Sequence, residues 1–138
     1  MRLQHQTTFG GVDDPPEQVG NCYATCLASL LDLDVANVPN FCAIKDNSWF
    51  SQSQQWLAER GLMSMNFRFN PFEDPAYHHG ISIAAGPGPR GHQHAVLWQG
   101  TKLFHDPHPS GAGLLKATEW EVLVVADLSM LLRKWGQS

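Results

Sequence analysis

The stretch Gln18-Val19-Gly20-Asn21-Cys22-Tyr23-Ala24-Thr25-Cys26-Leu27-Ala28-Ser29-Leu30-Leu31 constrains this chain more than any other. Apolar positions Cys22, Cys26, Leu27, Leu30 and Leu31 recur at helical spacing, and Tyr23, Ala24 and Ala28 leave almost no polar face. A helix that is apolar nearly all round must be buried on most sides, so residues 22–33 are expected to form a central helix. The turn before it delivers Cys22 into the first helical turn. Asn21 stands where an N-cap is expected, its side-chain oxygen free to accept from a first-turn N–H. A cysteine at that position sits at the positive end of the helix dipole, where the thiolate is favoured over the thiol. Cys22 is therefore a candidate nucleophile; its competing role is a small apolar residue packed at a helix start.

A core of this kind needs a chain long enough to surround it. The chain has 138 residues, 43% of them hydrophobic, with five tryptophans, which is enough for one ordinary domain with a real core. The formal net charge of −4 provides no electrostatic footprint for nucleic acid or for an anionic membrane surface. No apolar run follows Met1, so no signal peptide is expected, and no stretch approaches membrane-spanning length. Three cysteines at irregular spacing suggest free thiols in a reducing cytoplasm, with no disulfide framework.

Residues 1–17 are polar, with Gly10-Gly11 and Asp13-Asp14-Pro15-Pro16, and read as an extended arm or loop. Pro39 stops a connector at 34–41. A second helix is expected over 49–60, with Ser48 as its cap and Gly61 ending it. Residues 62–69 alternate, with Met63, Met65, Phe67 and Phe69 on the side expected to be buried. A short strand at 80–85 leads into Gly86-Pro87-Gly88-Pro89-Arg90-Gly91, read as a linker or a gating loop. A hairpin follows, from 92–98 and 102–106 around Gln99-Gly100, then a strand at 120–126 and a terminal helix at 128–135. Helices first and an antiparallel sheet afterwards make the chain α+β.

A cysteine nucleophile requires a base and a group that orients the base. His94 opens one hairpin strand and Asp106 closes its partner, so the imidazole can take the thiol proton while the carboxylate fixes its tautomer. A two-residue loop at Gln99-Gly100 puts His105 opposite His94, whereas a three-residue loop or a bulge brings Asp106 to it. The first register favours a rival site, in which His92, His94 and His105 converge on a metal. Cys26 and Cys42 read as packed thiols. His78 and His79 read as surface residues, and Trp49, Trp56 and Trp120 as core.

The ordered set Gly20-Asn21-Cys22, His94-Ala95-Val96-Leu97 and Asp106-Pro107 resembles the papain-like cysteine peptidases. The similarity is greatest to the double-glycine leader peptidases of bacteriocin export and to small phage and bacterial relatives. It spans most of the chain. It implies a central cysteine-bearing helix on an antiparallel sheet, with Cys22 as nucleophile, His94 as base and Asp106 as orienter. It also implies a cysteine hydrolase acting on a peptide, protein or small amide substrate, with no cofactor. The alternatives are a thiol acyltransferase on the same triad and an inactive binding module. That family carries an oxyanion-hole glutamine six residues before the cysteine, where this chain has Pro16. The oxyanion role then falls to Gln18, four before the cysteine, or to the Cys22 N–H with Asn21.

Overall fold

The computed structural model describes residues 1–136. The apolar stretch forms α1 (Cys22–Leu31), which Asp32 closes in the left-handed conformation. Asn21 does not cap it. Its Oδ1 instead accepts from the backbone N–H groups of Thr7 and Thr8, and its Nδ2 donates to Thr7 Oγ1 at 2.9 Å. The side chain is thus spent on tying the N-terminal arm to the cysteine turn. The free N–H groups of the helix start remain available to other acceptors.

Two 3-10 turns (Val35–Asn37 and Phe41–Ala43) lead to α2 (Trp49–Ala58). Ser48 makes no capping bond there; its hydroxyl bonds to Asp46 and accepts from Gln52. Gly61, at φ +75°, turns the chain into the sheet. The strands are β1 (Leu62–Phe67), β2 (Ile81–Pro87), β3 (Gln93–Gln99), β4 (Lys102–His105) and β5 (Glu119–Val125). They pair antiparallel throughout, in the order β1-β5-β2-β3-β4. A last helix, α3, runs over Leu128–Gly136. No helix among the described residues is long and apolar enough to cross a membrane.

The core lies where α1 packs on β3 and α2 closes beside it. Leu27, Leu57 and Leu97 are fully buried, with Ala24, Cys26, Ala28, Phe41, Ile83 and Ala95 around them. Cys26 is a core thiol, as expected.

Two expectations about the sheet are corrected. On β1 the alternation is present but its sign is reversed: Met63 and Met65 are exposed, while Ser64 is buried. The inner face of β1 meets α2, and Gln54 there satisfies Ser64 twice. Its Oε1 accepts from the Ser64 N–H at 3.0 Å and its Nε2 donates to Ser64 Oγ at 2.6 Å. A polar residue is tolerated inside because its hydrogen bonds are supplied.

The second correction concerns 86–91. β2 continues through Gly86 and Pro87, which pair with His94 and Gln93. Any side chain at Gly86 would collide with the Lys116 carbonyl oxygen. At this glycine the 115–118 segment runs close against β2, the Leu115 N–H donating to the Pro87 carbonyl and the Thr118 N–H to the Ala85 carbonyl.

Candidate active site

The hairpin adopts neither simple register. Gln99 pairs with Lys102 and Trp98 with Leu103 around a two-residue loop, but the register then shifts and Leu97 pairs with His105. The shift is a bulge of one residue at Phe104, and it resets the faces of everything after it. Asp106 follows β4 and reaches back to His94, whose Nε2 lies 2.7 Å from Asp106 Oδ1. Both residues are buried, at 4% and 5% exposure.

Asp106 is held by more than the imidazole. The His108 N–H donates to its Oδ1 at 2.9 Å and the Gly113 N–H donates to its Oδ2 at 2.7 Å. Burial pushes this carboxyl up, but the bonds from His94, Gly113 and His108 outweigh it and hold Asp106 below the usual aspartate range. An ionised carboxylate is acceptor-only, so the proton between the pair belongs to His94 Nε2, leaving Nδ1 as the free lone pair. Burial pulls the His94 imidazole down, and the Asp106 bond only partly restores it. At neutral pH the ring is therefore an unprotonated base.

A cavity of about 510 Å³ opens in front of this pair, lined by Cys22 and His94 together. Cys22 is half-buried at the first turn of α1. Burial pushes its thiol up, against the backbone N–H groups of Ala95, Tyr23 and Cys22 itself, which favour the thiolate. The helix-dipole expectation of a depressed thiol is therefore corrected: desolvation exceeds the pull of the N-terminus. Burial thus favours the neutral form of both the thiol and the imidazole.

The two sequence-nominated oxyanion residues lie elsewhere. Gln18 is exposed; its backbone bonds to Gly10 and Pro15, and its side chain does not line the cavity. Asn21 faces Thr7 and Thr8. A different glutamine, Gln6, is 7% exposed and lines the cavity with Cys22 and His94. Its backbone N–H donates to the Pro107 carbonyl and its Nε2 to the Thr8 carbonyl at 2.9 Å. The parallel bridge Gly10–Val19 keeps this arm beside the cysteine turn. Sixteen residues separate Gln6 from Cys22, and no local spacing marks it. The only trace in the sequence is a glutamine within an arm rich in polar side chains.

Trp49, expected in the core, is 40% exposed and stands at the cavity wall with Phe50. His105, the third residue of the rival metal site, is turned away; its Nε2 lies 2.6 Å from the Gln4 carbonyl and its ring packs beside His5. Among the described residues, no group of three or more His, Cys, Asp or Glu side chains is placed to hold a metal. The three cysteines are free, with Cys42 also at the cavity wall. His78 and His79 are exposed. A thiol, an imidazole and a buried amide, from Cys22, His94 and Gln6, thus line one cavity. No protein family, curated protein or solved structure matches the chain.

Proposed function

We propose that this chain is a cysteine hydrolase of the papain-like kind, cleaving an amide, peptide or isopeptide bond through a thioester. The observation that carries the reading is the buried His94–Asp106 hydrogen bond, opening onto the same cavity as Cys22. As sulfur attacks the substrate carbonyl, His94 Nδ1 takes the thiol proton and Asp106 stabilises the imidazolium that forms. The carbonyl oxygen becomes an oxyanion, for which Gln6 Nε2 and the Cys22 N–H are the donors in this reading. Collapse breaks the C–N bond, and His94 gives its proton to the departing amine. Water, deprotonated by His94, then attacks the thioester; the acid leaves and the thiol regains its proton.

Because thiol and imidazole both rest neutral, sulfur is activated during attack and not stored as thiolate. The test is alkylation by substoichiometric iodoacetamide, read by peptide mass spectrometry. Cys22 should be labelled ahead of Cys26 and Cys42, and His94→Ala should slow that labelling at least tenfold. Equal rates in wild type and His94→Ala would reject the pair. A chelator should leave the labelling and the melting temperature unchanged; a melting temperature lowered by chelation, with that of Cys22→Ser close to wild type, would favour the histidine-centred metal site instead.

A further inference from the structure

Away from the thiol, the cavity floor contains a carboxyl that the hydrolytic steps do not use. Glu121 on β5 is 8% exposed and lines the cavity. Its neighbours across the sheet are Asn66 on β1 and Ile83 on β2. The Tyr23 hydroxyl donates to its Oε1 at 2.6 Å. The ion pairs among the described residues are Met1–Asp32, Arg60–Glu59 and His94–Asp106, so no side-chain cation comes within 4.0 Å of Glu121. Arg68 and Arg90 also line the cavity, but both are exposed. A buried carboxyl with a hydroxyl donor and no counter-ion is costly to keep, and a cation brought by a ligand would compensate it.

Cys22 and Glu121 line the same cavity. Ala95 on β3 pairs with Ala85 on β2, which pairs with Glu119 on β5, so small side chains floor the way between the thiol and the carboxyls. Large apolar side chains stand exposed around the mouth, Phe9 and Val12 from the arm, Trp49 and Phe50 from α2. Gln6 also lines the cavity, and its buried Oε1 has no partner among the described residues.

We infer that the substrate carries a cationic amine or guanidinium on an aliphatic stem, as a lysine or arginine side chain does, and that Glu121 pairs with it. The stem packs on the apolar wall, where long cationic side chains lay their methylenes, and the aromatic rings there also attract the cation. This inference rests on the hydrolase reading and adds the substrate class.

The probes are N-acetyl-lysyl chloromethyl ketone and its norleucyl counterpart, nearly equal in length and different in charge. Wild-type Cys22 should be alkylated at least tenfold faster by the lysyl reagent, and Glu121→Gln should bring the ratio towards one. A wild-type ratio near one overturns the inference, as does a ratio unchanged in folded Glu121→Gln. If Glu121→Gln does not fold, n-butylamine supplies the second measurement. As its cation it should protect Cys22 from iodoacetamide several-fold where n-butanol does not, and equal protection overturns the inference. Failure of the hydrolase reading looks different: neither ketone would alkylate Cys22 faster than Cys42, or His94→Ala would leave both rates unchanged.

Discussion

Two buried carboxyls flank the cavity, Asp106 behind His94 and Glu121 in the floor, and their surroundings drive them in opposite directions. Both lose water. Asp106 receives three N–H bonds, from His94, His108 and Gly113, and is held below the usual aspartate range. Glu121 accepts a single bond among the described residues, from the Tyr23 hydroxyl, and burial pushes it up. Tyr23 is itself pushed up, by burial first and then by Glu121. Burial raises both carboxyls, and it is the N–H donors around Asp106 that reverse the rise there. Glu121, more fully desolvated and with a hydroxyl donor, stays raised. One end of the site is finished by the chain, and the other is left for a ligand to complete.

The largest expected effect tests the finished end. Asp106→Asn keeps the shape but lets the imidazole take the wrong tautomer, which should lower kcat by roughly 10⁴ with the fold retained by circular dichroism. The acid limb of the pH–rate profile should lie below the ordinary histidine range in wild type, since burial lowers His94, and should move lower still in Asp106→Asn. A limb that rises on that substitution would show that Asp106 is not supporting the imidazolium.

Next in size is the oxyanion donor. Gln6→Ala should lower kcat by about 10²-fold, the usual cost of losing one such donor. Gln18→Ala, outside the cavity, should leave it unchanged. The reverse pattern would restore the assignment that local spacing suggests.

The two carboxyls should also respond to pH with opposite sign in denaturant titrations. Asp106, lowered in the folded state, contributes stability above the ordinary aspartate value that is lost as pH falls through the folded one. Glu121, raised in the folded state, does the opposite: stability is greatest below the ordinary glutamate value and declines as pH rises towards the folded one. Glu121→Gln should remove that decline, and Asp106→Asn should remove the acid loss. Parallel curves for the two variants would erase the distinction drawn above.

The smallest effect is on β1. Met65→Thr, on the exposed face, should change unfolding free energy by no more than about 0.5 kcal/mol. Leu27→Ala in the core should cost about 2–5 kcal/mol by the same measurement. A large loss at Met65 would mean that its face is covered in solution.

Much of this molecule follows from the sequence alone. The 3.6-residue pattern over 22–31 is strong enough to require a buried helix, and the helix puts Cys22 at its start whatever surrounds it. The alternation over 62–69 marks one strand and the hairpin reading over 92–98 another, and His94 and Asp106 flank one hairpin in either register. Tertiary structure decided the rest. Alternation specifies a period but not which side is inward, and Gln54, on a separate element, placed Ser64 inside and the methionines out. Loop chemistry around Gln99-Gly100 did not dictate the bulge that carries Asp106 back to His94. Local capping rules assigned Asn21 to the helix, and a distant arm claimed its side chain instead. Gln6 and Glu121 lie 16 and 99 residues from Cys22. Only chain folding brings them to one cavity, because burial and hydrogen-bond supply are set by neighbours in space and leave no period in the sequence.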